Sequence, residues 1–216
     1  MRGIIQLIKI ILIFVVCQAI LAAEGDWEFI SDDAGIALYS REVSGHSELE
    51  FKAVGLVNQP LEVIGAVLSD ISSYPKWFFK CIESKKIPIE NTSELVYYLY
   101  IAIDTPWPFY NRDVVYKTNV IINDVVGKVV IRSTALTEQL IPPRRDFVRI
   151  IDSEHQWILE SVSGQRTRIS FIHRTNAAGS FANYISDPGT RDTTLHSLKN
   201  LIDRVTDPSY GKAGKN

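Results

Sequence analysis

The sequence predicts an α+β domain in which a curved antiparallel β-sheet is covered by one long C-terminal α-helix. Three observations predict it. The chain holds nine Phe, nine Tyr and four Trp against a single Met, a balance that suits strands better than a helical bundle. Apolar residues alternate in several runs between Glu94 and Thr175, the period of strands. From Phe181 the period becomes helical, and Leu195, Leu198, Ile202 and Val205 fall on one stripe. A sheet this large has an apolar face that needs a cover. A curved sheet closed by one long helix tends to enclose a cavity.

The first segment stands outside that domain. Arg2 and Lys9 give a positive start, an apolar run follows from Ile10 to Val16, and small residues Ala22 and Ala23 precede Glu24-Gly25-Asp26. This is the layout of a secretory signal peptide. The rival is an uncleaved anchor, since residues 4–23 match the ~20 residues needed to span a bilayer. Gln6, Lys9 and Gln18 inside the run weigh against it, because a lysine there is costly. The expected organisation is a signal peptide over 1–23, one domain over 24–206 and a flexible polar tail over 207–216. The expected location is exported and periplasmic, secreted if the source is eukaryotic, and membrane-anchored if the segment is retained. Cleavage removes Cys17 and leaves Cys81 alone, so no internal disulfide is expected. The formal net charge of -2 argues against an electrostatic grip on nucleic acid.

The remaining elements follow in order. Trp27–Ser31 and Ile36–Arg41 read as strands around an Asp32-Asp33-Ala34-Gly35 turn. Glu48–Val57 is a third strand. Pro60 suits the start of a helix, and Leu61, Ile64, Val67 and Leu68 share one face of it. Tyr74–Lys80 is a second short helical piece. About five antiparallel strands come next: Glu94–Ile103, Arg112–Ile122, Lys128–Leu136, Phe147–Ser161 and Thr167–Thr175. Glu94–Ile103 is apolar on both faces, so neither is simply solvated. The 147–161 run is long for a strand and predicts a bulge. Pro188-Gly189 predicts a kink or break in the terminal helix.

The block Thr105-Pro106-Trp107-Pro108-Phe109-Tyr110-Asn111-Arg112-Asp113-Val114-Val115 resembles the Pro-Trp-Pro…Arg-Asp block of START domains. These are the lipid-transfer domains related to steroidogenic acute regulatory protein. Trp27 with Gly35–Arg41, the Asp70…Tyr74-Pro75…Trp77 motif, Phe147–Ile150 and Trp157 resemble other parts of that family in the same order, from roughly Trp27 to Val205. The resemblance implies a helix-grip fold, a curved sheet gripping the terminal helix around a hydrophobic tunnel that holds one lipid. It implies a gate made by Asp104–Asn111 and the terminal helix. One departure is Ala178-Gly179-Ser180-Phe181, where the family often has a Gly-Gly…Ile-Pro element.

The candidate ligand-binding residues are Tyr98, Tyr100, Trp107, Phe109, Arg112, Tyr116, Phe171, His173, Phe181, Tyr184 and Ile185. Trp107 and Phe109 fit a lid that touches a membrane, or equally a turn packed on the core. Arg112 fits a ligand contact, or a structural pair with a carboxylate; Asp113 is the wrong carboxylate, because adjacent strand residues face opposite ways. His173 shares an apolar strand face with Ile169 and Phe171 and reads as a ligand contact or a satisfied core histidine. Tyr98 and Tyr100 each carry an apolar body and a hydroxyl, and ordinary core tyrosines would look the same. Phe181, Tyr184 and Ile185 are expected to face the sheet.

Catalytic signatures are absent from the sequence: it contains no G-x-S-x-G, H-E-x-x-H or P-loop. His46, His155, His173 and His196 lack metal-ligand spacing, so no metal or cofactor is expected. The expected function is binding of one lipid-like molecule, with its transfer or sequestration, by a monomer that touches membranes transiently. The alternative is a helix-grip enzyme, cyclase- or dehydratase-like, acting on a hydrophobic substrate in the same cavity.

Overall fold

The computed structural model describes residues 27–90, 93–179 and 182–206, without the side chains of 182–184. The signal peptide expected over 1–23 and the tail over 207–216 lie outside the described residues.

Strands β1 (Glu28–Asp33) and β2 (Ile36–Arg41) form the expected hairpin, and β3 (Glu50–Val57) follows. Asp32 Oδ1 accepts the Gly35 N–H at 3.0 Å, closing the turn. Gly35 has φ 83° there, a region open to glycine without strain. Helix α1 (Leu61–Ser69) starts after Pro60 and buries Ile64, Val67 and Leu68. A short 3-10 helix, Ile71–Lys76, comes next. Its Tyr74 hydroxyl donates to the Leu68 carbonyl at 2.7 Å, so the two helical pieces lock together.

The chain then enters β4 (Cys81–Ile87), a strand the sequence reading lacked. The cause is its place at the sheet edge, where Cys-Ile-Glu-Ser-Lys-Lys-Ile needs no apolar alternation. β5 (Val96–Ile103), β6 (Asn111–Asn123) and β7 (Lys128–Ala135) lie within two residues of expectation. The predicted bulge in 147–161 is instead a change of partner at Ile151. β8 (Phe147–Ile150) runs parallel to β6, while β9 (Asp152–Ser163) runs antiparallel to β7 and to β10 (Arg166–Asn176).

Among the described residues the sheet has ten strands, ordered β1-β2-β3-β10-β9-β7-β6-β5-β4, with β8 added on β6. Its inner face is gripped by α2 (Ala182–Thr206), which packs across β3 and β10. Leu198, Leu201 and Val205 of α2 are fully buried, each worth about 1.5–3 kcal/mol of transfer free energy. Close approach depends on Gly55, where an added Cβ would lie 2.8 Å from Ile202 Cδ1. The helix runs through Pro188 and Gly189 without the break that proline predicts. Tertiary contacts override local preference here: Ser186 and Thr190, on either side, are buried. The outer face of β5 and β6 has its own cover, with Tyr100, Ala102 and Val115 packed against Leu136, Ile141 and Phe147.

No helix among the described residues is long and apolar enough to cross a membrane.

Candidate ligand-binding cavity

A cavity of about 260 Å³ lies between the sheet and the N-terminal half of α2. Four strands supply its floor through residues of one parity: Ile101 and Ile103 from β5, Arg112, Val114 and Tyr116 from β6, Ile150 from β8, His173 and Thr175 from β10. Phe78 and Phe79, just after the 3-10 helix, form one wall, and Ile185, Ser186 and Thr190 of α2 form the other. The β5–β6 loop borders the cavity with Thr105, Pro106 and Phe109.

That loop is tied at its base. Asn111 Oδ1 accepts the Thr105 N–H at 3.0 Å, and the Asp104 N–H donates to the Lys80 carbonyl at 2.9 Å. The loop presents opposite characters to its two sides. Phe109 turns toward the cavity, whereas Trp107 is 92% exposed and Tyr110 is 68% exposed.

Arg112 and Asp113 face opposite sides of the sheet, as strand geometry requires. Arg112 is buried and donates Nε to the Ala177 carbonyl at 3.2 Å, with its terminal nitrogens on the carbonyls of Tyr110 and Ala178. It thereby ties the loop to the turn before α2. No carboxylate pairs with it among the described residues, and burial holds its pKa below the usual guanidinium value. Asp113 accepts Arg149 Nε at 2.8 Å and its NH2 at 3.0 Å, with the Tyr100 hydroxyl at 3.2 Å.

The floor sets a neutral imidazole beside the Arg112 guanidinium, and Lys80, Asp104 and Asp192 also line the cavity. Burial pushes the His173 and His155 imidazoles down to about 3, so both are neutral at pH 7. Burial also pushes the Tyr116 phenol up to about 12. Away from the cavity, His46, Glu48 and Asp152 bring one ligand atom each within 4.8 Å of one another. Two of them are already engaged, Asp152 by Arg174 at 2.9 Å and Glu48 by Asn176 at 2.6 Å.

This architecture has known counterparts. The chain matches the structure of a STAR-related lipid transfer protein from Xanthomonas axonopodis with TM-score 0.74 and 23% identity, over 83% of this chain and 98% of that one. It matches human STARD10 with TM-score 0.76 and 20% identity, over 88% of this chain and 77% of that one. The fold is that of a START domain. In sequence, an uncharacterized Pseudomonas aeruginosa protein is 26% identical over 202 residues, 93% of this chain and 96% of that protein. Mouse START domain-containing protein 10 is 21% identical over 182 residues, and the match spans 61% of its length. No family model matches the chain.

Within the START fold the cavity brings together Phe109, Arg112, Tyr116, His173 and Ile185 of the residues singled out from sequence. Phe171 shares the inner face but lies deeper, stacked on Trp157 at 3.8 Å between ring centroids as part of the core. Tyr98 and Tyr100 point to the other face of β5, since Ile101 and Ile103 take the cavity side. Trp107 points outward. Phe181 and the side chain of Tyr184 lie outside the described residues. The sequence reading missed Phe78, Phe79, Thr175, Ser186 and Thr190. Thr175 was within reach, because it follows His173 by two residues on one strand face. Ser186 and Thr190 stand four apart, one turn along a helix, but nothing in sequence distinguishes a cavity wall from a helix face against a sheet.

Proposed function

We propose that the protein binds one hydrophobic, lipid-like molecule in this cavity and carries or sequesters it in an exported, periplasmic compartment. The observation that supports this most is the cavity's build. Ile101, Ile103, Val114, Ile150 and Phe78 line a partly open space beneath one loop and one helix. Burying a lipid chain there gains about 25 cal/mol per Å² of apolar area. The same loop holds Trp107 in solvent, where it can enter a membrane as the loop swings away. Lipid would pass between bilayer and cavity at that point, and the bound protein would travel as a monomer.

Catalysis has less support. A histidine base is normally oriented by an acid, and the His173 ring bonds the Thr175 hydroxyl instead.

The test is native mass spectrometry of protein recovered from its own exported compartment, with extraction of bound small molecules. A stoichiometric co-purifying lipid is expected. A repeatedly empty protein that also ignores a panel of lipids overturns the carrier reading.

A further inference from the structure

The β6–β7 hairpin ends in apolar side chains that neither its turn nor the core explains. Asn123, Asp124 and Gly127 supply the turn chemistry: the Gly127 N–H donates to the Asp124 carbonyl at 3.4 Å, and Gly127 has φ 59°. Val125 and Val126 are not residues that turns favour, yet they stand between these, 95% and 61% exposed. Ile121 and Ile122, at the end of β6, are 61% and 51% exposed. Val162 of β9 is exposed beside the turn, because the Ser161 N–H donates to the Gly127 carbonyl at 2.8 Å. Single exposed apolar residues are ordinary, but a contiguous group marks a contact site.

Shape and charge decide what covers this tip. Ile121 and Ile122 are neighbours on a strand, so their side chains leave opposite faces of the ribbon. β6 pairs with β5 only as far as Asn119, opposite Val96, with one further bond from the Val120 N–H to the Leu95 carbonyl. Beyond that point no strand among the described residues flanks the ribbon on the β5 side. The tip is therefore apolar on both faces and open along one edge. A flat protein partner covers one face, whereas a lipid surface takes in both. Residues 121–128 hold one acid, Asp124, and one base, Lys128, and Lys128 is paired with Glu160 at 3.0 Å. Acidic leaflets attract clusters of lysine and arginine, and the tip has none, so the surface it matches is a neutral one.

We propose that the hairpin tip, through Ile121, Ile122, Val125 and Val126, enters a neutral lipid surface that faces away from the one met by the Trp107 loop. The loop and the tip project from opposite ends of β6. The 13 residues of that strand set them roughly 40 Å apart, at a strand's rise of ~3.3 Å per residue. With β6 upright between two bilayers, one molecule touches both, and the cavity loop meets the first while the hairpin holds the second. This bridging rests on the membrane role given to Trp107 above; the tip's own lipid contact does not.

The test uses the purified protein and phosphatidylcholine vesicles. Val125→Cys takes an NBD fluorophore in a Cys17→Ser, Trp107→Ala background, where the loop's contact is removed and Cys81 stays buried. NBD emission should shift to the blue with vesicles and be quenched by nitroxide-bearing lipid. In the same Trp107→Ala background, Val125→Ser with Val126→Ser should lower co-sedimentation about 10-fold, as the loss of two partly immersed valines allows, with the urea midpoint unchanged. With Trp107 in place the protein should cluster vesicles in dynamic light scattering, and the two serines should abolish the clustering. NBD emission that ignores vesicles, with co-sedimentation unchanged within twofold by the serines, overturns the proposal and leaves the carrier reading standing, since that reading needs only the cavity and its loop. Lipid contact at the tip without clustering overturns the assignment to a second surface. A concentration-dependent dimer that the serines dissolve, with NBD emission blind to vesicles, also overturns it, in favour of a second copy of this chain on the tip.

Discussion

Trp107→Ala tests the proposed membrane contact separately from folding. The side chain is 92% exposed in the free protein, so folding has almost nothing to lose, and the expected change in stability is within about 0.5 kcal/mol. The membrane contact proposed above has much more to lose. A Trp can bury up to ~250 Å², which at ~25 cal/mol per Å² sets a ceiling of ~6 kcal/mol. Half-immersion of the ring in the interface leaves ~3 kcal/mol, about 150-fold in partition. Co-sedimentation of the wild type and variant with phosphatidylcholine vesicles measures the partition, and urea denaturation measures the stability. The expected pattern is a large loss in the first and none in the second. Vesicle binding unchanged within twofold refutes the role given to the loop. A stability loss of several kcal/mol refutes the reading of Trp107 as free of the core.

Asp113→Asn should destabilise the fold by about 3–5 kcal/mol in urea, because it leaves the Arg149 guanidinium without its counter-charge in a mostly buried site. Tyr100→Phe removes a hydroxyl that donates to Asp113 at 3.2 Å and accepts from Arg144 at 3.4 Å, and should cost about 1–2 kcal/mol with no change in ligand affinity. His155 and His173 are held neutral down to about pH 3 in the folded state, whereas unfolded imidazoles take up protons below about 6.5. Stability should therefore be unaffected by these rings above that pH and fall as pH drops from there toward 3, by about 1.4 kcal/mol per unit for each ring. Urea midpoints between pH 7 and 5 test it, and His173→Phe should halve the slope that the two rings produce. Burial pushes the Cys81 thiol up to about 11. In a Cys17→Ser background, a disulfide reagent at pH 8 should label the folded protein far more slowly than the protein in urea. Equal rates would contradict that burial.

How much was legible in the sequence differs from element to element. The alternation in β6, β7 and β10 and the stripe Leu195, Leu198, Ile202 and Val205 lie within a residue or two of the observed elements. Each of these packs one face against the core, so the period of the backbone is written directly in the residues. The Pro-Trp-Pro block marked the loop over the cavity for a similar reason, since prolines restrict the chain locally.

What escaped the sequence depends on neighbours distant along the chain. β4 carries Glu83, Lys85 and Lys86 and becomes a strand because β5 offers it an edge. β5 is apolar on both faces because the 136–147 segment covers one and the cavity the other. Its sequence therefore could not say whether Tyr98 and Tyr100 or Ile101 and Ile103 face the ligand space. The hydrogen-bonded row from Tyr116 through Ser153 and Thr175 to His173 joins β6, β9 and β10, and Ser153 lies 37 residues from Tyr116. Local composition determined most of the elements, β4 and the passage of α2 through Pro188 excepted, because backbone period and turn chemistry act over a few residues. Tertiary packing decided which face of each element meets the cavity, because that depends on register between strands that are not adjacent in sequence.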